Sequence, residues 1–333
     1  MLRLPQFSFY APKTVTEALS ILGDLGPEAM FVAGGTDVFP KLKRRQFCPK
    51  TLVGLRQLSE LVGIKKGHDG GVDIGSGTTL TQVATHPELR QRYAGLTQAA
   101  GVVSTPVLRN MGTLGGNLCL DTRCNYYDQT REWRQSIGWC KKAPGDGLHS
   151  DDVPCRVAPG SAKCWAVSST DTAPMLVALG AEVTLLSPEG ERRIPVAGLF
   201  GSDGMDYLAK RRDELLSTIH LPPNDGQRSA YKKLRRRGSF DFPVLGAAAT
   251  LRCDGNNVIQ QASVVLSGVA SFPLRVEAVE EQLVGQTASP DVFETASQAA
   301  FKLARPMDNT DYHLYYRKKM VPIYVRRALE QAV

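Results

Sequence analysis

The chain has no apolar run approaching the roughly 18–20 residues that a membrane span requires, so an integral membrane protein is not expected. Its opening residues, Met1 to Gln6, lead into no long apolar stretch of the kind that marks an export signal, and a cytoplasmic protein is the expectation. Neither a G-x-x-x-x-G-K-[ST] loop nor a G-x-G-x-x-G fingerprint occurs, which removes two familiar nucleotide-binding signatures. There is no C-x₂-C pair, the usual mark of a zinc ribbon. The histidines show no mutual spacing suggestive of a triad, and His149, beside Asp151 and Asp152, reads as a surface residue. Low-complexity tracts and internal repeats are also missing, which excludes fibrous and solenoid architectures.

What is present is a chain of 333 residues, long enough for two or three lobes. It carries a formal charge of +7. The densest basic run, Lys232-Lys233-Leu234-Arg235-Arg236-Arg237, sits in no recognisable nucleic-acid-binding pattern. Such a run reads as a solvated face or a protein-docking patch. The seven cysteines are distributed unevenly. Cys119, Cys124, Cys140, Cys155 and Cys164 fall in one window that also holds or borders all three tryptophans, while Cys48 and Cys253 stand alone. An odd, clustered set without an export signal points to metal or redox chemistry before disulfides.

Along the chain, Thr14-Val15-Thr16-Glu17 predicts a capping box at the start of a helix that runs to Gly23. Short strands are expected at Ala29–Val32, Thr51–Val53 and Val72–Ile74, and a helix over 87–100. Asp171 and Thr172 are expected to cap a helix that Gly180 ends, with a strand from Ala181 to Leu186. The turn-rich Pro222-Pro223-Asn224-Asp225-Gly226 marks a domain boundary. Beyond it come strands at Ala247–Leu251 and Ala262–Leu266, then a terminal helix from Tyr312 whose Tyr315, Tyr316 and Tyr324 are expected to supply core contacts.

Two double glycines end short apolar segments: Ala33-Gly34-Gly35-Thr36-Asp37 and Thr113-Leu114-Gly115-Gly116-Asn117. Adjacent glycines can take positive φ and let backbone N–H groups converge on phosphate oxygens. Two such loops from separate lobes could grip one pyrophosphate; taken alone, a Gly-Gly pair more often marks an ordinary turn.

In this order and separation the loops resemble those of the FAD-binding medium subunit of the xanthine oxidase and carbon monoxide dehydrogenase family of molybdenum hydroxylases. Ser169-Thr170-Asp171-Thr172-Ala173-Pro174, and Tyr231-Lys232-Lys233-Leu234 with Asp241-Phe242-Pro243, match further family segments, so the resemblance covers essentially the whole chain. It implies an α+β chain: a two-lobed FAD-binding fold of the p-cresol methylhydroxylase and vanillyl-alcohol oxidase type, followed by a CO dehydrogenase flavoprotein-like α+β domain. The expected divisions are 1–58, 59–222 with an insertion loop at about 119–167, and 223–333. By resemblance, Val32, Ala33, Gly34, Gly35, Thr36, Asp37, Val38, Thr113, Leu114, Gly115, Gly116 and Asn117 would hold the pyrophosphate. Asp171 would bond the ribityl or adjoining hydroxyls, and Lys233 would sit near the isoalloxazine. No catalytic side chain is implied for an electron relay through FAD.

The cysteine window resembles the insertion in the β subunit of 4-hydroxybenzoyl-CoA reductase. That resemblance implies a 4Fe-4S cluster on Cys124, Cys140, Cys155 and Cys164, with Cys119 a buried non-ligand, although the gap between Cys140 and Cys155 is longer than that pattern. It further implies a ferredoxin-like donor, a large molybdopterin subunit and a small 2Fe-2S subunit, arranged as a dimer of heterotrimers that reductively dehydroxylates an aromatic acyl-CoA. The basic charge would then help dock the acidic donor or the partner subunits. The alternative is the same scaffold in a xanthine dehydrogenase-type hydroxylase passing electrons outward. A more distant one is a four-cysteine zinc protein that binds nucleic acid.

Overall fold

The computed structural model describes residues 2–333 and contains three sheets. The first is parallel, with β3 (Thr51–Gly54) between β1 (Ser8–Tyr10) and β2 (Ala29–Val32). Parallel strands need crossovers: the helix Val15–Leu25 connects β1 to β2, burying Val15, Ala18, Leu19 and Leu22 at helical spacing, and the segment with the helix Val38–Lys43 connects β2 to its neighbour β3. Thr14 caps this helix by accepting from the Glu17 N–H at 3.1 Å. The reciprocal bond is displaced by one residue, since Glu17 accepts from the Lys13 N–H instead. The expected capping box is therefore only half formed.

The second sheet is antiparallel, in the order β4 (Ile64–Lys66), β5 (Val72–Gly75), β8 (Leu215–Leu221), β6 (Glu182–Ser187) and β7 (Gly190–Pro195). Between β5 and β6 the chain leaves the sheet and builds the helices, the second glycine loop and the cysteine window. The helix expected over 87–100 is two helices, Pro87–Arg92 and Ala94–Gly101, broken at Tyr93. Tyr93 leaves helical geometry (φ −134°, ψ 51°) and buries its ring, and its hydroxyl donates to the Pro222 carbonyl at 2.6 Å. A tertiary anchor overrides the local helical pattern.

The third sheet runs β9 (Arg228–Leu234), β10 (Leu245–Cys253), β11 (Ile259–Ser267) and β12 (Leu274–Arg275), with β10 between β9 and β11. Its two-residue alternation buries both faces. Tyr231, Ala248 and Val265 join the core of the second sheet, while Ala230, Ala247, Ala249, Val264 and Leu266 join a core roofed by the C-terminal helices. Small alanines on both faces of β10 let both layers approach closely. This strand pairing delivers Tyr231 and Lys233, two residues apart, to the same side of β9, facing the second sheet.

The last helix, Leu314–Gln331, corrects one expectation. Tyr315 and Tyr316 are exposed; Val321, Val325, Ala328 and Leu329 form the buried stripe, with Tyr324 only partly buried against it. Helical spacing puts Tyr315 and Tyr316 off that stripe. No helix among the described residues is long and apolar enough to cross a membrane.

Candidate functional site

A cleft of about 1170 Å³ is lined by both glycine loops, by Ser169 and Asp171, by the start of the cysteine window and by Phe240 and Phe242. The two loops meet in it. A Cβ on Gly34 would lie 2.0 Å from the Met111 carbonyl oxygen, so glycine is required for the first loop to rest on Met111 and Gly112, which lead into the second. Gly35 takes φ +70°, in the left-handed region that favours glycine. Among the described residues, the backbone N–H groups of Gly34, Gly35, Thr36 and Asp37 donate to no protein acceptor. Gly35 is buried, Gly34 and Asp37 are half-buried and Thr36 is exposed, and amides left over in this way suit an anionic ligand.

The second loop differs, although its sequence looks alike. The Leu114 N–H donates to the Thr78 carbonyl, the Gly115 N–H to the Ser76 carbonyl and the Gly116 N–H to Thr113 Oγ1, at 2.8–3.0 Å. A Cβ on Gly115 would sit 2.6 Å from Ser76 Cβ. Gly115 is thus a packing glycine, set against the turn that follows β5. Asn117 ties the loop to the next segment: its Oδ1 accepts from Thr170 Oγ1 at 2.7 Å, from Thr172 Oγ1 at 2.6 Å and from the Thr172 N–H at 3.2 Å. The backbone N–H can only donate, which fixes the orientation of the amide. Its nitrogen has no acceptor among the described residues, and Asn117 lines the cleft.

Deeper in, Asp171 is almost fully buried. Its Oδ1 accepts from the Tyr231 hydroxyl at 2.9 Å and its Oδ2 from Lys233 Nζ at 2.8 Å. Lys233 also donates to the Val102 carbonyl at 3.1 Å. Burial raises the Asp171 pKa, with the Lys233 charge opposing that rise. Burial likewise lifts the Tyr231 hydroxyl well above its ordinary value, reinforced by the neighbouring carboxylate. Asp171 and Lys233, expected separately at the ribityl hydroxyls and near the isoalloxazine, are in direct contact, a pairing the sequence reading did not anticipate, and it also missed Tyr231 as the third member. A signal was available: Tyr231 and Lys233 share a strand face at period two.

Beside the first loop lies a balanced cluster of buried and half-buried charges that sequence reading also missed. Lys41, fully buried, meets Asp121 at 2.7 Å and Asp128 at 3.5 Å; Lys142 meets Asp121 at 2.6 Å. Arg123 pairs with Asp37, and with Asp128 at 3.2 Å, and stacks on the Phe242 ring at 4.0 Å. Burial pulls the Lys41 ammonium below its usual range, with Asp121 opposing. Burial also acts to raise Asp121, but Lys142 and Lys41 outweigh it and hold the carboxyl below its usual value.

The four cysteines expected as cluster ligands are all buried, and Cys124, Cys140 and Cys164 share a small core with Tyr127 and Ala166. Burial pushes the Cys124 thiol up to about 12 and the Cys164 thiol up to about 11, and raises Cys140. They behave as apolar packing groups. Among the described residues no group of three or more His, Cys, Asp or Glu side chains is arranged to hold a metal ion. The expected 4Fe-4S cluster on Cys124, Cys140, Cys155 and Cys164 is therefore corrected: clustering in sequence produced a shared core, not a ligand set. Without that set the zinc reading falls too. Cys119 lies beside the second loop and lines the cleft.

A two-lobed cleft, floored by a glycine loop with spare amides and closed by a third α+β layer, defines a protein that holds a dinucleotide-sized cofactor. Residues 5–224 match the family described as the FAD binding domain in molybdopterin dehydrogenase, and residues 229–332 match the CO dehydrogenase flavoprotein C-terminal domain. The chain belongs to this family of molybdenum-hydroxylase flavoprotein subunits, and it has the α+β fold expected of it. It is 28% identical to the carbon monoxide dehydrogenase medium chain of Hydrogenophaga pseudoflava, over 98% of this chain and 97% of that one. It is 30% identical to the aldehyde oxidoreductase FAD-binding subunit PaoB of Escherichia coli K12, over 98% and 99%. The solved carbon monoxide dehydrogenase from Hydrogenophaga pseudoflava superposes with a TM-score of 0.80 at 26% identity, covering 99% of this chain and 98% of that one. These likenesses, with the missing ligand set, correct the expected kinship with 4-hydroxybenzoyl-CoA reductase and remove the basis for an aromatic acyl-CoA substrate and a ferredoxin feeding a cluster.

Proposed function

We propose that this chain is the FAD-carrying electron-relay subunit of a molybdenum hydroxylase of the carbon monoxide or xanthine dehydrogenase type, passing electrons outward from a molybdopterin subunit. The observation that carries the reading is the row of unpartnered amides at Gly34–Asp37, opening into a cleft whose remaining walls come from the second loop, Asp171 and the Phe240–Phe242 segment. The residues present fit FAD. Val32 to Val38 supply the amides for the pyrophosphate, and Thr113 to Asn117 supply the opposing wall together with the Asn117 NH₂ group. Asp171 offers its carboxylate to ribityl hydroxyls, and Lys233 places a cation at the same end of the cleft. FAD, when bound, supplies the redox chemistry, accepting and releasing electrons in ones or twos.

The protein's own contribution is orientation and charge. Tyr231 and Lys233 hold the Asp171 carboxylate in one position, and Asn117 locks the second loop onto the Asp171 segment. The partners of this reading are a large molybdopterin subunit and a small 2Fe-2S subunit, consistent with a relative named as a medium chain. A dimer of such heterotrimers is the assembly we propose. The test is to purify the chain, denature it and identify the released cofactor by chromatography. FAD in a one-to-one ratio supports the reading; no flavin, or FMN in its place, refutes it.

A further inference from the structure

Resting on that reading, we infer that the segment 121–128 is a clamp that positions the first glycine loop for its cofactor, with Arg123 as its central residue. The loop runs directly into the helix Val38–Lys43, with Asp37 at its N-cap position and Lys41 one helical turn further on. Opposite them, Asp121 and Arg123 lie two residues apart in the cysteine window. The two pairs form a ladder of opposite polarity: Asp37 with Arg123, and Lys41 with Asp121 at 2.7 Å. Asp128 bridges the rungs, accepting from Arg123 at 3.2 Å and approaching Lys41 at 3.5 Å. Its other oxygen accepts from the Cys124 N–H at 3.1 Å, which fixes the bridge to the clamp's own backbone.

The clamp is anchored from behind. The Arg123 N–H and C=O exchange 2.8 Å bonds with the C=O and N–H of Val167, at the far end of the window. The Arg123 guanidinium lies 4.0 Å from the Phe242 ring, on the segment at the opposite wall of the cleft. Arg123 is 8% exposed, and its Nε is buried with no hydrogen-bond partner.

The physical consequence follows from sign. Asp37 puts a carboxylate at the end of a loop whose amides face an anion, and a free carboxylate there would repel a diphosphate. Arg123 neutralises it and holds it aside, so the amides determine the local potential. The window's role in this chain includes shaping the flavin site, which its distance in sequence from Asp37 conceals.

The experiment reconstitutes flavin-stripped full-length protein with FAD and reads the Kd by fluorescence quenching, with thermal melts of the stripped protein as a folding control. Arg123→Met is expected to weaken FAD binding at least tenfold. Adding Asp37→Asn to it is expected to recover most of that loss, because the unneutralised carboxylate is then gone. Arg123→Lys, which keeps the charge, should stay within a few-fold of wild type. The inference is overturned if Arg123→Met binds FAD as wild type does, or if the double variant is no better than Arg123→Met. Should Arg123→Met fail to fold, the Arg123→Lys and Asp37→Asn single variants carry the test. A large loss in Arg123→Lys, or in Asp37→Asn a loss as large as that expected of Arg123→Met, overturns the inference. Wild-type protein that takes up no FAD refutes the proposed function itself, a result distinct from either of these.

Discussion

Replacing Gly34 by alanine adds one methyl carbon where the first glycine loop touches Met111, just ahead of the second loop. Its backbone φ lies outside the left-handed region, so the penalty is steric contact and not backbone strain. The new carbon would stand 2.0 Å from the Met111 oxygen and 2.7 Å from its carbon, against the 3.4 Å at which ordinary contact begins. The loops must separate by about 1.4 Å at that point, and both obstructing atoms are backbone. Overpacking of this kind costs roughly 1–3 kcal/mol. If most of it falls on the cofactor-binding geometry, FAD affinity drops roughly 5- to 150-fold. The assay is equilibrium FAD titration of the stripped protein. Gly23→Ala serves as the control: it lies in the first helix with nothing within 4 Å, and should stabilise the protein by roughly 0.5–1 kcal/mol without altering FAD affinity. A Gly34→Ala protein that binds FAD within twofold of wild type would refute the account of the loop contact.

Asp121→Asn should destabilise the protein by about 3 kcal/mol or more at neutral pH, because it leaves Lys41 and Lys142 buried with a lost counter-charge. The Asp121 pKa is lowered in the folded protein, so its contribution is complete above the ordinary carboxylate value and lost as pH falls through the lower folded value. Chemical denaturation should therefore show the gap between wild type and variant closing below about pH 4; a gap that widens there contradicts the sign. Asn117→Leu should cost more than Thr170→Val, since the first strands three donors whereas the second removes the hydroxyl's bond to Asn117 and the one it accepts from the Ala173 N–H; urea midpoints in the reverse order would count against the tie. Tyr231→Phe should leave the fold intact at a cost of about 1 kcal/mol while freeing one oxygen of Asp171. An unchanged stability would show that the hydroxyl bond contributes nothing net.

The alternating and helical patterns were legible because burial enforces them residue by residue: β10 and β11 pair with Ala247 opposite Leu266, and Gly180 ends its helix at φ +70°. The break at Tyr93 was not legible, because its cause is Pro222, more than a hundred residues away. The same limit applies to the site. Both glycine loops read alike in sequence, yet the amides of one are free and those of the other are consumed by Ser76, Thr78 and Thr113. Only the placement of the turn after β5 separates them. The cysteine window was legible as unusual, but composition could not distinguish a set of ligands from thiols packed around Tyr127.

That correction changes what the window must be for. A surface loop of about fifty residues with no structural role would carry few fully buried charges, since each costs several kcal/mol to desolvate unless it is paired. Here the charges beside the first glycine loop come matched, three carboxylates to three cations, and three of their five contacts reach across to the end of that loop and the helix that follows it. Uniform hydrophobic packing would hold the two segments together as well, but would tolerate sliding. Oppositely polarised rungs one helical turn apart specify a single register, because a shift by one turn brings Lys41 against Arg123 and leaves Asp37 unpaired. A cofactor held through backbone amides needs that register more than it needs added stability, since a displacement of an ångström removes the hydrogen bonds on which the site depends.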